Sequence, residues 1–311
     1  MEDFWFVVFE HLESPIDYRS LGLTCKSTLL KLQRHESQLK NSRHLERLLK
    51  YFPDKPWDFN FLSRNWNVSW EMIQKNPTWG WDLRRLSENP NITMDIVNTN
   101  PDFKWNSYGL SRNPNLTFDF IKNHPNLGWY YEWITERSNI PIHTIKENPD
   151  RPWVYAHFSY NKRVTWKIVM ENPDFPWDFY RLSRNHCITW EIVQANPDKP
   201  WSYDELSINP NITWDIVKDN PDKSWNYIFL SWNKTVTIQI IKENPDRPWD
   251  YRYFSINPSV TWDIIQQNPD FPWDKKYVSQ NPNMTWYIIK DNPDFDWDWS
   301  YISSNTFGTK L

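Results

Sequence analysis

The side chains that most often carry out chemistry in proteins are present, but their spacing builds no reaction centre. The seven histidines show no metal-ligand spacing with one another or with Cys25 and Cys187, so a zinc site is not expected. Serine recurs at a fixed interval, yet no histidine accompanies it at a fixed spacing, and a nucleophilic serine needs a base to activate it. Carboxylates recur throughout, so no pair stands out as a general acid and base. The residues predict a protein that is not an enzyme and has no cofactor or metal.

The composition narrows the classes further. Only 5 glycines occur beside 24 prolines and 23 tryptophans, which argues against families that cradle phosphates in glycine-rich loops. The formal net charge is −4, from 35 basic and 39 acidic residues, so no basic field is available for nucleic acid or an anionic membrane. No stretch reaches about 18 consecutive apolar residues, and two cysteines fit a reducing compartment. We expect an intracellular, cytoplasmic protein without nucleic-acid or membrane partners.

A repeat of fixed period explains most of the tryptophans. Eleven of them follow one another at intervals of 24 residues with no insertion between copies, which is typical of a solenoid or array. We number the slots of each copy from this tryptophan as zero. The eleven are Trp57, Trp81, Trp105, Trp129, Trp153, Trp177, Trp201, Trp225, Trp249, Trp273 and Trp297.

Other slots are also nearly constant. Slot 6 is serine in every copy except at Thr135, slot 19 is asparagine except at His124, and slot 20 is proline in every complete copy. The sequence upstream of Trp57 matches the second half of a unit, so the array is expected to begin near residue 44 with a half-repeat. It is expected to end with another half-repeat near Asn305. This divides the chain into residues 1–43 and a repeat domain of residues 44–311.

Each unit contains two short segments that are separated by Asn-Pro, and a proline disfavours helix at the residue before it. The second segment has a threonine such as Thr213 in an N-cap position. We expect the first segment to begin after an aspartate at slot 21, such as Asp198, with Pro200 in its first turn. A strand is the rival interpretation of the second segment, but Val217 breaks its alternation. The pattern predicts an all-α protein, an αα-solenoid of about eleven 24-residue two-helix repeats.

An open solenoid of this kind is expected to be a rod. With an advance of about 8–10 Å for each repeat, eleven repeats span on the order of 90–110 Å and leave an extended face with no central pocket. The constant tryptophans, serines and asparagines are expected to pack the core and to bond to backbone. An aromatic ladder that binds glycans or nucleic acid is a weaker alternative.

Partner binding is expected at the slots that vary, which are slots 3, 4 and 7. These slots hold many aromatic residues and arginines, the types that are enriched at interface hot spots. Most variable positions on a protein are simply solvated surface. The partner-binding candidates in these slots are Arg84, Arg85, Trp133, Arg181, Phe229 and Trp232.

Residues 1–40 lie outside the period and contain a pattern of their own. It consists of Val8-Phe9-Glu10-His11-Leu12, then Asp17-Tyr18, then Leu21-Gly22-Leu23-Thr24-Cys25-Lys26. The pattern resembles an F-box, and its combination with Asn-Pro/Trp repeats resembles uncharacterised repeat proteins of giant DNA viruses of amoebae. A plain cap that shields the first repeat from water remains the alternative.

The resemblance implies a role in ubiquitylation. F-box helices dock on the Skp-type adaptor of a cullin-type ubiquitin ligase, while a C-terminal repeat domain recruits the substrate. The protein would then be a non-enzymatic, monomeric adaptor that acts in the cytoplasm, or in the host cytoplasm if the chain is viral. The alternative function is a structural or scaffolding repeat protein with no link to ubiquitin. The residues that would dock on the adaptor are Phe9, Leu12, Tyr18, Leu21, Leu23, Cys25 and Lys26.

Overall fold

The computed structural model of the protein describes residues 44–137 and 140–308. Every regular element within these two ranges is a helix, and the predicted αα-solenoid is confirmed. Each repeat contributes two helices, most of them six residues long. The F-box-like segment of residues 1–43 lies outside the described residues.

The first helix of each repeat has an even number and the second helix has an odd number. The first helices are α2 (Phe59–Arg64), α4 (Leu83–Glu88), α6 (Ser107–Ser111), α8 (Tyr131–Arg137), α10 (Tyr155–Phe158), α12 (Phe179–Arg184), α14 (Tyr203–Ile208), α16 (Tyr227–Trp232), α18 (Tyr251–Ser255), α20 (Lys275–Gln280) and α22 (Trp299–Ser303). The second helices are α1 (44–51), α3 (Trp70–Lys75), α5 (Met94–Thr99), α7 (Phe118–Asn123), α9 (Ile142–Glu147), α11 (Trp166–Glu171), α13 (Trp190–Ala195), α15 (Trp214–Asp219), α17 (Ile238–Glu243), α19 (Trp262–Gln267) and α21 (Trp286–Asp291). A 3₁₀ turn, Pro125–Leu127, follows α7.

The second helices begin where the sequence indicates. The Thr213 hydroxyl accepts the backbone N–H of Ile216 and caps α15, as predicted. The predicted start of the first helices is wrong. Helix α14 begins after Ser202, at slot 1, and Asp198 with Pro200 lies in the turn before it. The slot-1 side chain reaches the free amides of the first turn, and Asp198 is too far upstream to do so.

Each slot-0 tryptophan is held by the end of the helix before it. The indole Nε1–H of Trp201 donates to the carbonyl oxygen of Asn196 at 2.8 Å, and the Asn196 side chain donates to the carbonyl of Ile192 at 2.8 Å. The same pair of bonds recurs along the array, so the asparagine of slot 19 ends the helix and positions the tryptophan. The tryptophan rings are half-buried or buried and pack on the apolar core, as expected.

Serine and asparagine join each repeat to the next one. The Ser183 hydroxyl donates to the carbonyl of Phe179 at 2.7 Å and accepts the backbone N–H of Ser202 at 2.9 Å. The fully buried Asn209 amide donates to the carbonyls of Ser183 and Asn185, at 2.8 and 3.1 Å. These bonds confirm the predicted structural roles of the slot-6 serine and of the asparagine two positions later, at slot 8. The bonds that Ser183 accepts from Ser202 and that Asn209 donates span the boundary, so they also fix the rotation between successive repeats.

The two ends of the array meet, so the expected rod is wrong. The backbone N–H of Asp58 donates to the Ser303 hydroxyl at 3.0 Å, and the Asn65 amide donates to the carbonyls of Ser303 and Asn305 at 2.8 and 2.9 Å. These are the same bonds, in the same slots, as those between Ser183, Ser202 and Asn209 inside the array. The first repeat therefore follows the last one as any repeat follows its predecessor, and the solenoid is a closed ring.

The two predicted half-repeats combine into one complete unit at this seam. Helix α1 follows α22 around the ring and supplies the second helix that the last repeat lacks. Tyr51 of α1 packs edge-on against Trp286 with ring centroids 5.2 Å apart, and the Arg47 guanidinium donates to the Tyr287 hydroxyl at 3.2 Å. Residues 44–307 number 264, which is eleven lengths of 24 residues. The ring therefore contains eleven equivalent units.

The first helices form the inside of the ring. Most neighbouring first helices contact one another closely around the circle, including α22 with α2, whereas the described second helices do not contact one another to the same extent. The elements of a ring that lie closest together are those nearest its axis. Eleven helices spaced about 8–10 Å apart, each about 10–12 Å in diameter, leave an opening of roughly 17–25 Å. We call the even-numbered helices the inner helices and the odd-numbered helices the outer helices.

Candidate functional site

The three variable slots form one surface on the inner helices. Residues three and four apart share a face of a helix, so slots 3, 4 and 7 lie together. In α16 they are Ile228, Phe229 and Trp232, while Leu230 at slot 5 is buried in the apolar core. Slots 3, 4 and 7 of the eleven repeats therefore line the opening, and we call this surface the inner face.

All six predicted partner-binding residues lie on the inner face. Arg84, Arg85, Trp133, Arg181, Phe229 and Trp232 occupy its slots 3, 4 or 7. They are distributed over four repeats rather than gathered at one point: two stand on α4, one on α8, one on α12 and two on α16. The predicted site is thus a continuous band and not a pocket.

The inner face differs in charge from the rest of the chain. It holds seven of the 15 arginines but only one of the 20 lysines, together with five carboxylates, so its formal charge is +3 although the whole chain carries −4. Arginine is less strongly hydrated than lysine and stacks on aromatic rings. The preference for arginine over lysine is typical of a contact surface, whereas a surface that only faces water does not require it.

In repeats 2 to 5 the inner face is a network of arginines, aromatic rings and carboxylates. The guanidinium of Arg84 lies 4.1 Å from the ring centroid of Tyr108, and that of Arg112 lies 4.1 Å from the ring centroid of Trp133. Arg112 also pairs with Glu88 at 2.9 Å. Positive and negative charges neutralise one another here, and the rings keep the arginines extended along the surface.

Helices α4 and α6 approach each other closely in this network because slot 4 of α6 is glycine. A Cβ atom on Gly109 would lie 2.1 Å from the backbone oxygen of Arg84, well inside van der Waals contact. Only a residue without a side chain fits at this distance. The glycine therefore sets the local spacing of two inner helices.

Repeats 6 and 7 contain the buried carboxylate of the inner face. Glu205 is only 5% exposed, and its hydrogen bond with the Tyr180 hydroxyl raises the pKa of that phenol. Burial is the main cause that raises the pKa of the nearby Tyr160, whose ring lies 5.0 Å from the Arg181 guanidinium. Both phenols stay protonated at neutral pH, and the Tyr180 hydroxyl donates its hydrogen bond to Glu205.

Repeats 8 to 11 and repeat 1 carry a ladder of aromatic rings. Slot 4 is aromatic in all five, and the ring centroids of Tyr253 and Tyr277 lie 6.1 Å apart. Tyr277 and Tyr301 follow at 5.7 Å, and Trp232 stacks on Tyr253 at 6.1 Å with 19° between the planes. Phe61 holds the same slot in repeat 1, which follows repeat 11 across the seam. Five repeats that lie at opposite ends of the sequence therefore share one aromatic surface.

The sequence did not single out part of this surface. Tyr277, Tyr301 and Phe61 stand in a variable slot, so their face was predictable, but their adjacency depends on ring closure. The predicted adaptor-docking residues Phe9, Leu12, Tyr18, Leu21, Leu23, Cys25 and Lys26 all lie outside the described residues.

The described residues contain neither a candidate metal cluster nor a candidate membrane span. No group of three or more histidine, cysteine, aspartate or glutamate side chains there is arranged to hold a metal ion. In residues 44–137 and 140–308, no helix has the length and apolar character needed to cross a membrane.

No protein-family model, curated protein or solved structure matches the chain.

Proposed function

We propose that the protein is a non-enzymatic recruiting protein whose ring holds a protein partner on its inner face. The observation that carries this proposal is the contrast between slots. The slots that build the ring are the same in nearly every repeat, whereas the slots of the inner face change from one repeat to the next and favour arginine and aromatic residues. Variation among hot-spot residue types along one continuous face favours recognition of an asymmetric partner.

The N-terminal module would link this ring to a ligase. The resemblance of residues 1–43 to an F-box supports docking on a Skp-type adaptor through Phe9, Leu12 and Leu21. The protein would add no chemistry and would act by raising the effective concentration of the bound partner near the ligase.

The two halves of the proposal are tested separately on the full chain. A purified Skp-type adaptor should bind the wild-type protein and should not bind a Leu12→Asp/Leu21→Asp variant with an unchanged circular dichroism spectrum. For the ring, an Arg84→Ala/Trp232→Ala variant of the inner face should lose partners that a Lys167→Ala/Met170→Ala variant of outer helix α11 retains. Capture is compared by quantitative mass spectrometry.

A structural or scaffolding protein with no link to ubiquitin is the alternative function. It predicts that the adaptor does not bind, and that Leu12→Asp/Leu21→Asp destabilises the first repeats because residues 1–43 cap them. If adaptor binding fails but capture still depends on the inner face, the recruiting ring stands without the ligase. If capture is the same for the inner-face and outer-face variants, the ring proposal is wrong.

A further inference from the structure

The inner face consists of two arcs that differ in charge. All five of its carboxylates lie in repeats 2 to 7, where they stand beside five arginines. Repeats 8 to 11 and repeat 1 contribute no carboxylate to slots 3, 4 and 7, but they contribute Arg252, Lys276 and Arg64. We call this second set of five repeats the aromatic arc, since it also carries the ring ladder of slot 4.

The carboxylates nearest the aromatic arc are committed to the backbone. Asp250, Asp274, Asp298 and Asp58 stand at slot 1, and each accepts two amide N–H groups at the start of its inner helix. Asp250 also binds the Arg252 side chain, and this bond lowers the pKa of the Asp250 carboxyl. Lys276 lies on the exposed surface of α20, next in sequence to the slot-4 ring of Tyr277.

The arc offers apolar contact as well as positive charge. Trp232 is 41% exposed and Ile228 is 45% exposed, which is high for such large apolar side chains. Tyrosine and tryptophan provide large, rigid contact surfaces that lose little conformational entropy on binding. The surface is complementary to a chain that has both apolar side chains and negative charges.

We propose that the aromatic arc binds an extended segment of a partner protein in which carboxylates alternate with apolar side chains. This inference rests on the proposed function, since it names the partner of the same inner face. The opening of roughly 17–25 Å admits a single polypeptide in extended or helical form, because a helix is only about 10–12 Å wide.

The charges favour a peptide over single-stranded nucleic acid. Proteins that hold nucleic acid mainly through its phosphates typically neutralise about 6–10 of them. The aromatic arc has three cations, and one of them, Arg252, already pairs with Asp250 at 2.6 Å. Three cations are enough to select the sign of a peptide segment but too few to bind a polyanion tightly.

The inference is tested with synthetic probes on the full-length protein. The probes are two fluorescein-labelled peptides, one of repeating Glu-Leu-Glu-Phe and one of repeating Lys-Leu-Lys-Phe, and an oligonucleotide of thymidines. Each is about 16 units long, so that an extended probe is longer than the aromatic arc. Fluorescence anisotropy gives each dissociation constant. We expect the acidic peptide to bind about tenfold more tightly than either other probe, which corresponds to about 1.4 kcal/mol.

Matched variants locate the binding. Trp232→Ala should weaken binding of the acidic peptide about tenfold, as expected for a hot-spot residue. Tyr180→Ala, on the other arc of the same face, should leave it unchanged. Lys276→Glu should weaken binding of the acidic peptide and strengthen binding of the basic one. Lys167→Glu, on an outer helix, should change the binding of neither peptide. Trp232 and Lys276 are exposed, so these variants are expected to fold, and circular dichroism checks this.

Three results would overturn the inference. They are tighter binding of the oligonucleotide, equal binding of the two peptides, and equal loss of binding in Trp232→Ala and Tyr180→Ala. If any of these occurs while capture of natural partners still depends on Arg84 and Trp232, the proposed function stands and only the acidic-peptide inference is wrong. If that capture fails as well, the inner face is not the binding surface.

Discussion

Closure of the ring makes a specific prediction about one buried asparagine. Asn65 bonds across the seam to Ser303 and Asn305, and Asn209 makes the equivalent bonds to Ser183 and Asn185 within the array. In an open solenoid, Asn65 would stand on a free end with its amide in water. Substituting Asn65 would then lower the free energy of unfolding only slightly, whereas in the ring the substitution removes bonds that hold two repeats together.

The expected magnitude follows from the bonds that are lost. Asn65 is 4% exposed, donates to two carbonyls of the last repeat and accepts the backbone N–H of Asn67 at 2.9 Å. A buried hydrogen bond contributes about 1 kcal/mol net, so Asn65→Ala should lower the free energy of unfolding by about 3 kcal/mol. Asn209→Ala should lower it by at least a similar amount, because it loses the equivalent bonds and a further one to the carbonyl of Ile188 at 3.3 Å.

Urea unfolding followed by circular dichroism measures these differences. Asn76→Ala is the matched control, since the half-buried Asn76 side chain makes one bond within its own repeat, to the carbonyl of Met72 at 2.9 Å. We expect Asn76→Ala to lower the free energy of unfolding by about 1 kcal/mol or less. The ring would be refuted if Asn65→Ala lowered the free energy of unfolding no more than Asn76→Ala does, while Asn209→Ala lowered it by about 3 kcal/mol.

Two further predictions concern the inner helices and the seam. Gly109→Ala should lower the free energy of unfolding by about 1–3 kcal/mol in the same urea assay, because its Cβ has no room, whereas Gly80→Ala, with its nearest atom at 3.9 Å, should not. Burial lowers the pKa of His44, which packs on Phe307 at the seam, from its ordinary value of 6.5. The unfolded chain therefore binds the proton more readily, and the melting temperature should fall as the pH drops below about 6.5. His44→Gln should reduce this dependence, and an identical pH profile in that variant would contradict the role of His44.

The sequence alone was sufficient for the repeat, for the helices and for the slots of the inner face. The 24-residue period and its Asn-Pro punctuation predict two helices per unit, and the variable slots lie where helical geometry puts them. The start of the first helices was misjudged because two aspartates compete for the capping role. Asp198 precedes a proline-containing turn, and only slot 1, held by Ser202 in that repeat, reaches the first amides.

Closure itself depends on a quantity that no single residue encodes. The rotation between repeats is set by the serine and asparagine bonds together with the packing of the half-buried tryptophans, and small changes in that angle separate a rod, a superhelix and a ring. Nothing in the types of Asn65 or Ser303 distinguishes them from the same residues elsewhere in the array. The sequence therefore does not indicate the seam, which follows only from the three-dimensional arrangement of the repeats.

The copy number of the array has a physical meaning in a closed ring. Eleven identical interfaces close the circle only if each turns the chain by about 33°, and an open solenoid has no such requirement on the number of its repeats. A chain that begins and ends in mid-repeat places the seam between α1 and α22, within one two-helix unit, so apolar packing and hydrogen bonds hold together a joint that has no peptide bond. Because closure fixes the slots that build the ring, the inner face can change from repeat to repeat without opening the circle, and the proposed recognition of a partner depends on this variation.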